Sequence, residues 1–305
     1  MTALSTLSNR QVRLAARPVG LPKATDWKFT TEPVVDPADG QVLVKVLQLS
    51  LDPAMRGWMN EGRSYIPPVG IGEVMRAIGV GNVIALRNTA FALGDMVPGG
   101  FGIQEYCLVE DAKRAELNKI DPRLGGPEKW LNALGMPGMT AYFGLLEVGQ
   151  PQVGETVVVS GAAGAVGQTV GQVARIKGGS VRDGLKAHCP EGADVYFDNV
   201  GGDILDVVLT RINKHARIVI CGAISQYNNT TPVKGPSNYM MLLVARARMQ
   251  GMVVFDYADR YGEAIRDIAQ WMREGKFISR EDVVGGIENF SGENFGKLEL
   301  KVTNA

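Results

Sequence analysis

The sequence predicts an α/β protein in which a β-rich opening section precedes a parallel sheet covered by helices. Three observations predict it. Short apolar runs punctuated by glycine fill the first third. From about residue 131 apolar and helical segments alternate. A β-branched run at 156–160 ends in a glycine-spaced turn that opens into an amphipathic helix.

Taken in order, Gln41–Leu47 alternates in part, as a half-buried strand does. Ala77–Ile84 and Gly94–Val97 are strand-like, and Gly99-Gly100-Phe101-Gly102 is a turn cluster ahead of Gln104–Val109. Such broken strands suggest a compact barrel or sandwich. Thr156–Ser160 opens the α/β part. In the turn that follows, Ala162 takes the first place of a G-x-G-x-x-G pattern, with Gly164 and Gly167 in the second and third. Lacking a Cβ, Gly164 lets backbone N–H groups approach a pyrophosphate at the positive helix end. Gly167 lets the helix sit close on its strand. Val166, Val170, Val173 and Ala174 then mark one helical face. Further strands are expected at 194–198, 217–221 and 250–255. They end in Asn199-Val200-Gly201-Gly202, Gly222-Ala223-Ile224-Ser225 and Asp256-Tyr257. In open α/β sheets ligands bind at these carboxyl ends, where strand order reverses, so the turns read as the rim of a dinucleotide site. Lys297–Val302 reads as a strand returned to the first domain.

Lys plus Arg and Asp plus Glu both total 32, so charge gives no case for nucleic acid or an anionic membrane. No apolar run reaches the roughly 20 residues of a membrane span. Met1–Arg10 lacks the apolar centre of a signal peptide. Cys107, Cys189 and Cys221 are odd in number and widely spaced, which argues against a disulfide framework and for the cytoplasm. His188 and Cys189 are neighbours without a ligand pair at zinc spacing, and His215 reads as a surface or strand-start residue. No metal is expected.

Motifs along almost the whole chain carry a resemblance. They are Leu51-Asp52-Pro53-Ala54-Met55-Arg56-Gly57, Met136-Pro137-Gly138-Met139-Thr140-Ala141-Tyr142, Gly161 to Gly167, Phe197-Asp198-Asn199-Val200-Gly201-Gly202, Cys221 to Asn228, and Glu293-Asn294-Phe295-Gly296-Lys297. The chain resembles the zinc-independent medium-chain dehydrogenase/reductases, in the group of prostaglandin/leukotriene-B4 reductases and bacterial curcumin reductases. The resemblance implies a GroES-like catalytic domain, residues 1–125 completed by 277–305, and a Rossmann NADP-binding domain, residues 126–276. It implies NADPH-dependent reduction of the carbon–carbon double bond of α,β-unsaturated ketones or aldehydes, and a homodimer. Carried over by position, Gly164, Ala165, Val166, Gly167 and Gln168 form the pyrophosphate loop, followed by Asn199. Cys221, Gly222, Ala223, Ile224, Ser225 and Tyr227 line the nicotinamide and ribose side. Met252, Val253 and Val254 supply backbone contacts, and Asn294 comes from the tail. Relatives often carry tyrosine where this chain has Ala54, so no one relative's substrate preference transfers.

Without a Lewis acid, a hydrogen-bond donor must stabilise the negative charge that hydride addition pushes onto the carbonyl oxygen. Tyr227 is the leading candidate, with a ribose hydroxyl of the coenzyme as its rival and mere packing of Tyr227 on the coenzyme as the plainer alternative. Tyr239, Met240 and Met241 begin either an apolar lid or a packing or dimer-contact helix. Two other functions compete: an NADPH-dependent quinone reductase, and a non-catalytic NADPH-binding sensor or structural protein.

One stretch is too short. After the fingerprint helix, expected to end near Lys177-Gly178, only Gly179–Gly192 precede the next strand, and they read as a short helix from Val181 to His188. The residue that reads the ribose 2′ group has no counterpart there. Ile287–Gly292 is short as well. Either these elements are lost or residues are missing between the joined ends. The second is favoured, because loss would expose an apolar sheet edge.

Overall fold

Ser8–Leu14 (β1) and Trp27–Pro33 (β2) pair antiparallel at the start of a computed structural model that describes residues 4–110, 117–181, 189–290 and 297–302. β1 is not evident in the sequence because polar residues dominate it. Asn9 and Gln11 are nonetheless buried, and both donate to the Gln104 side chain, at 3.1 and 3.0 Å. Val42–Leu51 (β3) is buried along most of its length. It pairs with Gly79–Leu86 (β4) and Tyr106–Val109 (β6), while Met96–Gly99 (β5) pairs with β4. Ala54–Trp58 (α1) follows β3, and Pro127–Leu131 (α2) packs on β3 and β4. Val44, Val46, Leu49, Val83, Val97, Trp58 and Phe101 form the core. The tail adds two strands, Asp282–Gly285 (β12) and Leu298–Lys301 (β13), giving the order β12-β13-β3-β4-β5. The unit comprises Met1–Leu131 and Glu281–Ala305. The short Ile287–Gly292 stretch holds a 3₁₀ turn, Ile287–Asn289, and Asn294 lies outside the described residues.

The second unit is Asn132–Arg280. Its sheet is wholly parallel, in the order β11-β10-β9-β7-β8. The strands are Thr156–Val159 (β7), Ser180–Val181 (β8), Ala193–Asp198 (β9), Ile212–Ile220 (β10) and Arg248–Gly251 (β11). The helices are Met136–Phe143 (α3), Ala165–Ile176 (α4), Gly202–Leu209 (α5), Met240–Ala245 (α6) and Tyr261–Arg273 (α7). Val170, Val173 and Ala174 of α4 are buried, and α4 packs against α3. From β7 the chain goes to β8 on one side and then to β9 on the other. The order reverses between β7 and β9, the crevice where such sheets hold ligands.

Two expectations need correction. The strand expected at 250–255 is β11 at 248–251, and Val254–Arg260 is a 3₁₀ turn. The apolar character of Met252 and Val254 comes from burial instead. Around Gly178–Val181 the chain runs directly from α4 into β8. Gly178 N–H bonds Arg175 O at 3.1 Å, Gly179 N–H bonds Ala174 O at 2.8 Å, and Ser180 pairs with Thr156. Val181, expected to start a helix, lies in β8, while residues 182–188 lie outside the described residues. His215 is exposed, with φ +66°, between the pairings of Ile212 and Arg217, where the register of β10 on β9 shifts.

Among the described residues no helix is long and apolar enough to cross a membrane, and no three His, Cys, Asp or Glu side chains gather as metal ligands.

Candidate functional site

The turn after β7 is tight for a steric reason. Gly161 has φ +61°, the left-handed region that glycine enters without penalty. It therefore makes the bend that the pattern assigns to Ala162. A Cβ on Gly167 would lie 2.2 Å from Gly161 O and 2.8 Å from Ala162 Cα, so the first turn of α4 can rest on the loop only with glycine there. Gly164 is the N-cap, and no side chain caps the helix. The first N–H groups of α4, at Ala165, Val166 and Gly167, have no partner one turn back within the helix, and the helix dipole adds positive character. Gly161, Ala162 and Ala163 are exposed. A cradle of backbone donors and small residues is what an anionic group requires. The Gln168 side chain is turned to Arg280 O, at 3.4 Å.

Beside this turn the sheet carries a polar hub. Asp198, fully buried at the end of β9, accepts four hydrogen bonds on one oxygen, Oδ1. The donors are Ser160 Oγ (2.8 Å), Tyr196 Oη (2.8 Å), Val200 N (3.0 Å) and Gly201 N (2.9 Å). Its other oxygen is buried with no hydrogen-bond partner. Asn199 donates from its backbone to Ser160 Oγ and from its side chain to Ser160 O, both at 2.8 Å. The carbonyl of Asp198 accepts Cys221 N–H at 2.9 Å and Gly222 N–H at 3.1 Å. One residue thus ties together the ends of β7, β9 and β10. Burial, reinforced by the Asp198 charge, holds the Tyr196 hydroxyl far above the usual phenol range. The same two causes push the Cys221 thiol up to about 12, so it stays protonated. Ser160, Tyr196 and Asp198 are absent from the site read off the sequence. The available signal was a polar residue closing each of two apolar strands.

The loop from Cys221 to Tyr227 folds back on itself. Tyr227 Oη accepts Ala223 N–H at 3.3 Å and lies 3.0 Å from where a Cβ on Gly222 would be. Ile224 N–H and Ser225 N–H bond the carbonyls of Asn199 and Val200, and Ser225 Oγ donates to Val200 O at 2.6 Å. After β11, Met252 N–H continues the sheet to Ile220 O at 3.0 Å. The carbonyl of Val253 accepts Asp256 N–H, and that of Val254 accepts the Tyr261 hydroxyl. Part of the backbone expected to contact a ligand at 252–254 is therefore already engaged. The structure brings the expected residues at 164–168, 199, 221–227 and 252–254 to the carboxyl ends of four parallel strands. Asn294 cannot be placed.

Residues 10–118 match a family described as the N-terminal domain of oxidoreductase. The chain is 37% identical to the NADPH-dependent curcumin reductase of Escherichia coli, covering 96% of this chain and 97% of the relative. That alignment runs over 337 positions although this chain has 305 residues, so the relative carries sequence that this chain lacks. A 2-alkenal reductase (NADP(+)-dependent) of Nicotiana tabacum is 36% identical over 97% of this chain and 98% of the relative. The fold matches a crystal structure of CurA from Vibrio vulnificus in complex with NADPH, with a TM-score of 0.88 and 38% identity, over 97% of this chain and all of that one.

Proposed function

Because the chain belongs to the medium-chain dehydrogenase/reductases, in the group of curcumin, 2-alkenal and prostaglandin reductases, we propose that it reduces the carbon–carbon double bond of α,β-unsaturated ketones and aldehydes. It is an NADP-dependent oxidoreductase with a Rossmann and a GroES-like domain. The observation that carries the reading is the hub at Asp198, which sets the uncapped N-terminus of α4 and the Tyr227 loop at one end of one sheet.

The residues fit the coenzyme. The glycine turn, too close-packed at Gly167 for any Cβ, offers helix N–H groups to a pyrophosphate. Asn199 and the 221–227 loop stand at the next strand ends. NADPH when bound supplies the hydride, which the β-carbon of the enone takes as negative charge moves to the carbonyl oxygen. Tyr227 uses its oxygen to accept Ala223 N–H, a contact that orients the phenol. The hydroxyl proton donates to the carbonyl oxygen, a bond that strengthens as charge develops there. No metal takes part, since three cysteines and two histidines do not supply the usual zinc ligand sets. The α-carbon proton comes from water or the same donor network.

The working form is a homodimer in the cytoplasm. α6 presents Leu243 and Val244 at 68 and 60% exposure, with Tyr239 just before it at 59%, and it leads into β11, the outermost strand of its sheet among the described residues. An exposed apolar face beside an unpaired edge suits a second copy of the chain.

Loss of NADPH absorbance on a small panel tests the activity: a 2-alkenal, a phenylpropenone, a quinone and no substrate. Turnover is expected with the alkenal and the enone. Turnover with the quinone alone would make the protein a quinone reductase, and tight NADPH binding with no turnover would make it a sensor.

A further inference from the structure

The pyrophosphate turn, residues 161–168, contains no cation. The end of α4 contributes the equivalent of roughly half a positive charge, whereas each phosphate of the coenzyme brings a full negative one. Arg175 and the C-cap Lys177 stand at the other end of α4. The segment after α7 supplies what the turn lacks. Lys276 N–H and Phe277 N–H both bond Trp271 O, at 2.9 and 3.2 Å, and Phe277 is buried, so the chain leaves α7 in a fixed direction. It then runs back along α4. Ile278 N–H donates to Gln172 Oε1 at 2.7 Å, and Gln172 Nε2 donates to Ile278 O at 2.9 Å. One helical turn nearer the loop, Gln168 Nε2 donates to Arg280 O at 3.4 Å, and Asn132 Nδ2 reaches the same carbonyl at 3.4 Å. Two residues of extended chain advance about 6.6 Å and four residues of helix about 6 Å, so the segment climbs α4 in step toward its N-terminus.

Arg280 therefore stands level with Gln168, about 4.5 Å along the helix axis from Ala165, a distance that an arginine side chain covers. It is exposed, and among the described residues its guanidinium has no hydrogen-bond or ion-pair partner. We propose that Arg280 is a coenzyme ligand, whose guanidinium pairs with the pyrophosphate held at the N-terminus of α4. A planar fork of donors matches phosphate oxygens and adds charge to the backbone N–H groups of the turn. The inference rests on the coenzyme site read above and names a further residue of that site, all of it within the second unit.

Titration of the full chain with NADPH, followed by protein fluorescence, tests it. Arg280→Ala keeps the carbonyl that Gln168 and Asn132 hold, and is expected to raise the NADPH dissociation constant at least about fivefold. Inorganic pyrophosphate is expected to displace NADPH from the parent, with an inhibition constant that rises by a like factor in the variant. An unchanged NADPH constant in Arg280→Ala would overturn the inference. So would pyrophosphate that competes equally with both proteins, which puts the guanidinium elsewhere on the coenzyme, or that does not compete at all. Each of these leaves the reductase reading intact, whereas failure of the parent to bind NADPH would remove both.

Discussion

At Asp198 the carboxylate holds the turn after β9 and the backbone carbonyl holds the start of the loop after β10, and the second of these explains how Tyr227 can act from a loop. The loop is pinned at Cys221 and Gly222 to the Asp198 carbonyl, and Tyr227 leans back on Ala223. Tyr227→Phe should lower enone turnover at least about tenfold, equivalent to 1.4 kcal/mol of barrier, and leave the NADPH dissociation constant nearly unchanged. An unaltered rate in a stopped assay would take the hydroxyl out of the mechanism. A second residue governs pH dependence. Glu299 is fully buried on β13 opposite Ser50 of β3, and neither carboxylate oxygen has a hydrogen-bond partner. Lys297, two residues away, donates to Asp52 at 3.1 Å and to Ser50. Burial pushes the Glu299 carboxyl from 4.5 up to about 9; the Lys297 charge opposes the rise, and Glu281, Glu128 and Asp52 add to it. The folded chain thus keeps the acid neutral where the unfolded chain ionises it. The contribution of this group to stability is greatest below pH 4.5 and is lost as pH climbs toward 9. Glu299→Gln should match the parent at low pH and melt at progressively higher temperature than it as pH rises, as calorimetry across that range would show. Tyr227 was legible in the sequence because it follows a strand end within a motif. Asp198 and Ser160 were not, because their bond exists only once β7 and β9 are neighbours.

At the scale of elements, the glycine turn and α4 were legible because sterics and periodicity both act over a few residues. β11 was harder. Its expected span ran into Met252 and Val254, which are apolar because they are buried, and an apolar run does not tell pairing from packing. β1 was hidden by its polar residues, whose burial depends on Gln104, remote in sequence. β8 was unreadable, since Ser180 and Val181, its described residues, are too few to carry a period. α6 yields an element-scale prediction. If its exposed face joins two copies, Leu243→Glu places a charge in that contact. Sedimentation should then show the parent at twice 32.8 kDa and the variant as a monomer of the same helical content. A parent that sediments as a monomer would remove the dimer.

At the scale of the whole molecule, the broad division was readable from the switch between short glycine-broken strands and alternating helices and strands, and from the β pattern of the tail. The neighbours that the tail acquires were not readable, because pairing of Leu298 with Leu51 joins residues from opposite ends of the chain. That insertion of β13 between β12 and β3 sets an order for biosynthesis. Residues 132–280 form an uninterrupted unit and leave the ribosome with every one of their strands available. β3 emerges far earlier than the strand that covers Gln48–Leu51, and its edge stays open until Leu298–Lys301 has been made. The N-terminal section is thus the last to mature although it is the first to be made. For that interval it is the part of the nascent chain most in need of a chaperone.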